Sequence, residues 1–271
     1  MKTVLICHHD DDMNKVGLAR WLASFTDLVG VVVIQEGRTQ KTNRFKREVK
    51  RLGRVRFADV VAYRLYHRVV WQGRDAAYER STLDRIARTY PELPRDLPVH
   101  TTETPNSADT REFLEKVRPD MVIARCKVLL KPEIFEIPPV GTFVMHPGIC
   151  PEYRNAHGCF WALANRDVDK VGMTLLKIDR GIDTGPVYGF FTYDYDERRE
   201  SHIIIQHRVV FDNLDAIRDK LLEIEKGTAE TIDTRGRKSG NWGQPWMTRY
   251  IAWKNAARQR DKNGPGIAPL S

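Results

Sequence analysis

The stretch from residue 143 to residue 185 reads FVMHPGICPEYRNAHGCFWALANRDVDKVGMTLLKIDRGIDTG. It begins within an apolar run, Gly141 to His146, which predicts a buried strand that stops at Pro147 because proline lacks an N–H donor. The apolar-rich run from Ala156 to Asn165 predicts a helix, and the run from Val171 to Ile178 predicts a second strand. A strand, a helix and a strand in this order indicate an α/β fold.

The same alternation continues on both sides of this stretch. Thr3 to Cys7, Lys15 to Phe25 and Leu28 to Ile34 predict a strand–helix–strand opening. Further predicted strands are Leu97 to Thr101, Met121 to Ala124 and Pro186 to Tyr195, and further predicted helices are Ser107 to Val117 and Arg199 to Lys226. Because parallel strands need crossover helices, the pattern predicts a mostly parallel, Rossmann-like twisted sheet with helices on both faces. In such sheets, ligands bind at the carboxyl ends of the strands.

Length and composition indicate a globular protein with one main domain. The chain has 271 residues, of which 41% are hydrophobic and 30% charged, so it can bury a sizeable core and is neither disordered nor a coiled coil. Residues 1–227 are predicted to form the main domain. Residues 228–271 are predicted to be a small C-terminal appendage, with a strand at Ala229 to Thr234, a helix at Trp246 to Arg260 and a frayed tail at Lys262 to Ser271.

The remaining global features favour a cytoplasmic location. No apolar run approaches the roughly 18 residues that a membrane span needs, and the first residues, MKTVLICHHDDD, lack the features of a signal peptide. The four cysteines form no CxxC pair, so we expect free thiols, most of them buried. They are Cys7, Cys126, Cys150 and Cys159.

Two residues of the stretch are candidates for acid–base chemistry. His146 ends a predicted strand and therefore lies at the carboxyl edge of the sheet. Asp183 lies between Gly181 and Gly185, in a turn whose backbone can approach a ligand closely. A histidine and an aspartate on adjacent strand ends form a pair that can donate and accept protons.

The two motifs HPGICPEYRNAHGCFWAL and MTLLKIDRGIDTG resemble those of the folate-dependent formyltransferases, a family that includes glycinamide ribonucleotide, methionyl-tRNA and sugar N-formyltransferases. The resemblance covers about residues 97–195. It implies transfer of a formyl group from 10-formyltetrahydrofolate to the amine of a small acceptor, such as an amino sugar or a nucleotide sugar. The family uses an Asn, a His and an Asp, and by position the His is His146 and the Asp is Asp183.

The family's Asn should stand two residues before the His, where this sequence has Val144. Residues i and i+2 of a strand face the same way, so Val144 and His146 share a site, and valine cannot donate to an oxyanion. We expect Asn155 to supply the missing amide, in a position where relatives usually have glycine. His157, a backbone N–H or a different acyl donor are alternatives.

The resemblance also implies where the two substrates bind. The formyl donor is expected between the loops 125–130 and 179–182, at the residues Arg125, Cys126, Lys127, Leu129, Asp179, Gly181 and Ile182. The acceptor is expected at the acidic loop after the first strand and near the motif, at the residues His8, Asp10, Asp11, Asp12, Tyr153 and His157. A zinc site in the HHDDD loop is a weaker alternative, because no HxxH pair follows it, and we predict no metal.

Positive charge is concentrated in one segment. The formal net charge is +8, and residues 38–74 alone hold 12 Lys or Arg against Glu48 and Asp59. Because the rest of the chain is not basic, no stable nucleic-acid complex is expected. The segment is predicted to be an insertion that ends in a helix, residues 57–71. Five roles stay open for it: a solvated face, a contact with an anionic membrane, a homodimer interface, a cover for its own sheet, or a site that attracts a phosphate-bearing acceptor.

The sequence therefore predicts an N-formyltransferase. Two other hypotheses stay open: a formyltetrahydrofolate hydrolase, in which water replaces the amine, and a noncatalytic ligand-binding module, in which Val144 marks lost chemistry.

Overall fold

The structure is a computed structural model that describes the backbone of residues 1–262 and their side chains other than those of residues 38–41, 43–45, 261 and 262. The predicted tail lies outside the described residues, apart from its first residue.

The described residues form a seven-stranded sheet in the order β3-β2-β1-β4-β5-β7-β8 and a two-stranded sheet of β6 and β9. The strands are β1 Lys2–His8, β2 Asp27–Ile34, β3 Val99–Thr102, β4 Met121–Arg125, β5 Gly141–His146, β6 Arg154–Asn155, β7 Met173–Lys177, β8 Val187–Phe191 and β9 Asn241–Trp242. The sheet is parallel from β3 to β5, while β7 and β8 are antiparallel to their neighbours. The predicted α/β fold with a mostly parallel sheet is confirmed.

Helices connect the parallel strands. A π-helical turn, Met13–Leu18, continues into α1. The other helices are α2 Arg38–Val70, α3 Gln72–Thr89, α4 Ala108–Val117, α5 Pro132–Phe135, α6 Gly158–Ala164, α7 His202–Phe211, α8 Leu214–Glu225 and α9 Met247–Lys262, with α1 at Ala19–Ala23. Gly53 interrupts α2 with φ 73°, a left-handed value that glycine adopts without strain.

Alternate side chains of the strands face two apolar cores. Leu5 and Met145 contribute to a core that α3, α6, α7, α8 and α9 cover, whereas Val4 and Val122 face a smaller core covered by α4 and α5. This alternation follows from the period of two in a β-strand. Helices therefore cover both faces of the sheet, as predicted.

Two predicted elements differ from the structure, and one helix of the structure was not predicted. The long helix Arg199 to Lys226 is two helices, because Asn213 breaks it: its Nδ2 donates to the carbonyl of Val209 at 3.1 Å, in competition with helix continuation. The predicted strand Ala229 to Thr234 is reduced to one bridge between Ile232 and Val187. Helix α3 was not predicted, because its sequence is mostly polar and only a narrow stripe of it is buried.

The C-terminal segment, residues 228–262, packs against the rest of the chain. Strand β9 pairs with β6, and the ring of Trp242 stacks on Trp161 at 4.8 Å between centroids. Trp253 on α9 is fully buried against Phe160. The segment therefore contributes to the main core, and it reaches the loop that follows His146.

The described cysteines are free thiols, and Cys7, Cys150 and Cys159 are buried. Within the described part of the chain, no helix combines the length and the apolar composition needed to span a membrane.

Candidate active site

His146 and Asp183 lie together at the carboxyl end of β5. The Nδ1 atom of His146 is 3.5 Å from Oδ2 of Asp183, and both side chains are largely buried. On the other side of the ring, Nε2 lies 2.8 Å from the carbonyl oxygen of Tyr153. A carbonyl only accepts, so Nε2 carries a hydrogen, and a neutral ring directs its Nδ1 lone pair toward Asp183.

Asp183 reaches His146 by a route that differs from the prediction of two adjacent strand ends. Strand β7 is antiparallel to β5, with Lys177 opposite Phe143, so β7 ends at the edge remote from His146. The following loop must extend back by about three residues of strand, roughly 10 Å. A hydrogen bond from Arg154 to the carbonyl of Ile182, at 2.9 Å, holds the loop in that position.

The loop of Asp183 has a defined shape. Oδ1 of Asp179 accepts hydrogen bonds from the N–H of Gly181 at 2.9 Å and from the hydroxyl of Thr184 at 2.8 Å. Asp183 has φ 51°, which is left-handed, and its Oδ2 accepts a hydrogen bond from the backbone N–H of Asn155 at 2.7 Å. The carboxylate is therefore fixed from two sides before any ligand is present.

Asn155 does not offer its amide hydrogens to the site. Its Nδ2 donates to Oδ1 of Asn241 at 2.9 Å and to the carbonyl of Trp242 at 2.6 Å. Both hydrogens are thus used by the C-terminal segment, and in this arrangement neither is directed to His146 or Asp183. Its φ of 78° explains why asparagine or glycine suits this position.

Val144 does share a face with His146, as predicted. It packs against an apolar cluster of Cys150, Leu176 and Val187, on the side opposite Phe143 and Met145. The side chain of Val144 has no hydrogen-bond donor that could stabilise a developing oxyanion.

The acidic loop mainly supports the helix that follows it. Oδ1 of Asp11 accepts from the N–H of Asn14 at 3.0 Å and Oδ2 from its Nδ2 at 2.6 Å, while Asp12 pairs with Lys15 at 2.8 Å. Nε2 of His8 accepts from the N–H of Lys127 at 3.0 Å, and burial lowers the pKa of His8. Asp10, the fourth residue predicted to bind the acceptor here, is exposed, and its carboxylate makes no hydrogen bond or ion pair within the described part of the chain.

Tyr153 is also structural. Its side chain is buried, its hydroxyl donates to the carboxylate of Asp167, and its ring stacks on Trp242 at 5.7 Å between centroids. Only its carbonyl faces His146. Tyr153 as a residue that binds the acceptor stays a prediction, and the buried side chain leaves its backbone as the part nearest to His146.

The two loops predicted to hold the formyl donor lie close together. Cys126 and Val128 from one loop and Ile178 from the start of the other pack on the same apolar cluster, which includes Ala124 and Leu130. Leu129 is 54% exposed, and its carbonyl accepts from the side chain of Asn106 at 2.9 Å. Both loops are thus anchored on one apolar core, and the first of them exposes the side chain of Leu129.

Arg125 has a role inside the protein. Its guanidinium is buried, donating to Oδ1 of Asn14 at 3.0 Å and to the carbonyl of Met145, the residue before His146. Burial lowers its pKa. Arg125 therefore ties the loop after β4 to the end of β5 and does not present its charge to solvent.

A cavity of about 510 Å³ adjoins the motif on the other side. We call it the histidine cavity, because His67 of α2, His157 before α6 and His202 of α7 line it together with Asp75 and Gln244. His157 lies two residues after Asn155, and the neighbouring Gly158 packs directly on Gly148, whose own surroundings include Nε2 of His146. The loop that carries His157 therefore packs near the Nε2 side of the His146 ring.

Hydrogen bonds order the walls of the histidine cavity. The hydroxyl of Tyr63 lies 2.7 Å from Nδ1 of His202, the hydroxyl of Ser201 donates to Asp75 at 2.6 Å, and Nε2 of His67 is 3.3 Å from the same carboxylate. Nδ1 of His157 is buried and has no hydrogen-bond partner.

Burial sets the charge state of these groups. It lowers the pKa of His67, lowers that of His157 to about 4 and lowers that of His202 well below its usual value, so the imidazoles are neutral at neutral pH. Burial also raises the pKa of Asp75. Of these histidines, only His157 was predicted from the sequence to lie at the site. The others lie on separate elements, and no regular spacing in the sequence relates them to it. Among the described residues, no group of three His, Cys, Asp or Glu side chains is arranged to hold a metal ion.

Comparison with known proteins agrees with the motif. Residues 94–194 match the family model described as formyl transferase. These residues are therefore similar to the formyl transferase family, and we call them the formyl transferase segment. The formyl transferase segment contains β4 and β5, His146, Asn155 and Asp183, whereas α2, α3, α7 and the C-terminal segment lie outside it.

Curated relatives match the same part of the chain. A methionyl-tRNA formyltransferase from Kosmotoga olearia is 32% identical over 117 residues, which are 43% of this chain and 36% of that protein. One from Thermotoga maritima is 30% identical over 113 residues, 38% of this chain and 36% of that protein. The match spans about a third of the length of these relatives.

Solved structures share the formyl transferase fold. A sugar N-formyltransferase from Shewanella sp. FDAARGOS_354 superposes with a TM-score of 0.55 at 11% identity, covering 95% of this chain and 87% of that one. A phosphoribosylglycinamide formyltransferase from Anaplasma phagocytophilum superposes with a TM-score of 0.54 at 12% identity, covering 88% and 97%. The fold thus extends beyond the segment that the family model matches.

Proposed function

We propose that this protein transfers the formyl group of 10-formyltetrahydrofolate to a primary amine that binds in the histidine cavity. The observation that carries the proposal is the His146–Asp183 pair, buried at 3.5 Å within the formyl transferase segment. That separation exceeds a normal N–H···O hydrogen bond, so the hydrogen-bonding groups of the two side chains are not fully engaged with each other.

The pair suits the proton transfers of this reaction. When the amine nitrogen attacks the formyl carbon, a new C–N bond forms and the bond from that carbon to the folate nitrogen breaks. Asp183 accepts the proton that the amine loses, directly or through water, and returns it to the departing folate nitrogen. His146, as a hydrogen-bond donor, stabilises the negative charge that develops on the formyl oxygen.

The donor is proposed to bind between loops 125–130 and 179–182. The proposal is supported by the common apolar core on which both loops are anchored and by the exposed side chain of Leu129, which a flat aromatic ring can contact. Lys127 and Ile182 use their backbone groups to hold His8 and Arg154, so they shape the pocket.

The acceptor is proposed to be a small amine with several hydroxyl groups, such as an amino sugar. Neutral imidazoles, the amide of Gln244 and the carboxyl groups of Asp75 and Glu79 can donate and accept hydrogen bonds to hydroxyls. Arg64 and Arg68 also line the cavity and are exposed, so they could contact a phosphate of a nucleotide-linked sugar. All these residues except His157 lie outside the segment shared with the relatives.

His157 is the proposed replacement for the family's Asn. Its Nδ1 lacks a partner, and a neutral imidazole can donate one hydrogen bond without a charge. The backbone N–H groups near Asn155 are less suited, because that of Asn155 already binds Asp183.

Incubation with 10-formyltetrahydrofolate, with and without a panel of free and nucleotide-linked amino sugars, tests the function. Release of tetrahydrofolate only with an amine, lost in His146→Ala and kept in His100→Ala, supports transfer. His100 is a matched control because it hydrogen-bonds Thr110 at β3, away from the site. Release without any amine would instead indicate a hydrolase, and tight binding without turnover would indicate a binding module.

A further inference from the structure

The outward face of α2 is apolar, although the helix is part of the basic segment. Val55, Ala58, Ala62, Leu65 and Val69 form one stripe at alternating spacings of three and four residues, and we call it the α2 ridge. Val55 is 88% exposed, Leu65 60% and Val69 85%. The opposite side of the helix, with Val60 and Tyr63, is buried in the protein. The ridge therefore has no partner among the described residues.

Cations surround the ridge. Nine Lys or Arg side chains between residues 46 and 74 are exposed, against two acidic residues in the same range. Both acidic residues have partners: Glu48 pairs with Arg64 at 2.8 Å, and Asp59 accepts from the hydroxyl of Thr248 at 2.5 Å. The nine cationic residues are Lys46, Arg47, Lys50, Arg51, Arg54, Arg56, Arg64, Arg68 and Arg74.

We propose that the α2 ridge docks on an anionic lipid surface. A helix that combines an exposed apolar stripe with many Lys and Arg side chains lies in the interface of such a surface, where the apolar residues enter the acyl boundary and the cations contact the headgroups. Tyr63 and His67 on the inner side of the same helix line the histidine cavity, so docking holds that cavity next to the lipid surface.

A second copy of the chain is the competing occupant. Pairing two α2 helices through their ridges brings the cationic residues of both copies together, which is unfavourable at the ionic strength of a cell. An anionic surface neutralises the same charges. Charge complementarity therefore favours lipid over self-association.

Co-sedimentation of the full chain with vesicles tests the proposal. Vesicles of phosphatidylcholine alone are compared with vesicles that also contain phosphatidylglycerol, at low and high salt. We expect binding to the anionic vesicles that weakens with salt and falls at least about tenfold in Leu65→Glu, Val69→Glu and Arg54→Glu. The matched control is Val99→Glu, because Val99 is 59% exposed on β3, away from α2. Circular dichroism of each variant checks that it is folded.

The outcomes are distinct. Failure of the wild type to bind, or equal binding to both vesicle types, overturns the proposal. Binding that Arg54→Glu weakens and Leu65→Glu leaves unchanged shows electrostatic adsorption without the ridge and also overturns it. A dimer in analytical ultracentrifugation that Leu65→Glu dissociates, without vesicle binding, assigns the ridge to a second copy. Formyl transfer is measured separately, so its presence or absence does not decide the docking.

Discussion

Replacing Asn155 with glycine separates two roles that this residue could have. In the structure, its backbone N–H orients Asp183 at 2.7 Å, while its side chain donates to Asn241 and Trp242 of the C-terminal segment. Asn155→Gly keeps the N–H and tolerates the φ of 78°, and it removes only the side-chain amide. The variant therefore loses the side-chain hydrogen bonds to the C-terminal segment and keeps the His146–Asp183 pair.

The expected magnitudes follow from the two side-chain hydrogen bonds. Each contributes about 0.5–1.5 kcal/mol, and the one to Asn241 is exposed and belongs at the low end. We expect the free energy of unfolding to fall by about 1–3 kcal/mol, including the greater freedom of glycine in the unfolded chain. We expect the turnover rate to fall by less than about tenfold, whereas loss of an oxyanion donor lowers it by about 10² to 10³.

Urea unfolding and the turnover rate at saturating substrates measure the two effects. Asn241→Ala is the matched control, because it removes one acceptor of the same amide without touching the motif, and it should reproduce part of the stability loss. If Asn155→Gly turned over about a hundredfold more slowly or worse, with unchanged unfolding, this reasoning would be refuted. The side chain of Asn155 would then have to turn toward the substrate on binding.

Three further predictions concern the site and the core. His146→Ala and Asp183→Asn should each slow turnover by a factor of about 10² to 10⁴ without loss of the folded circular dichroism spectrum, because they remove a proton donor and acceptor. Burial lowers the folded-state pKa of His157 to about 4, below its value in the unfolded chain, so the free energy of unfolding should fall as the pH falls from about 6.5 to 4. His157→Gln should reduce the slope of the unfolding free energy against pH by up to about 1.4 kcal/mol per pH unit. Urea unfolding at several pH values across that range measures this slope. A chain that ends at Gly227 lacks the fully buried Trp253 and should lose its cooperative thermal transition, and an unchanged transition would show that residues 228–271 are an independent unit.

Much of the fold could be predicted because its strands are continuous apolar runs. β1 and β5 are buried on both faces, so their sequences differ sharply from the polar loops that follow them. The direction of β7 could not be predicted, because a buried strand has the same apolar composition in a parallel or an antiparallel sheet. The break at Asn213 depends on one side chain that hydrogen-bonds a helical carbonyl.

The candidate site could likewise be predicted only in part from the sequence. The motif predicted His146 and Asp183, because both stand within one short stretch of sequence. The walls of the histidine cavity come from α2, α3 and α7, and only tertiary packing brings His67 and His202 to His157. The hydrogen bonds of the Asn155 side chain could not be predicted from the motif either, since its partners, Asn241 and Trp242, are 86 and 87 residues away along the chain.

The pairing of β6 with β9 has a consequence for the order of folding. Residues 154 and 155 can adopt their final positions only after residues 241 and 242 have been synthesised and brought back to them. Contacts between residues so far apart in sequence close a long loop, and they form late because the entropy of closure is lost before the contact is gained. A ribosome-bound chain that already contains His146 and Asp183 would therefore hold a complete motif without a fixed carboxylate. We expect the carboxylate of Asp183 to be fixed, and activity to appear, only after the C-terminal segment has packed against the rest of the chain.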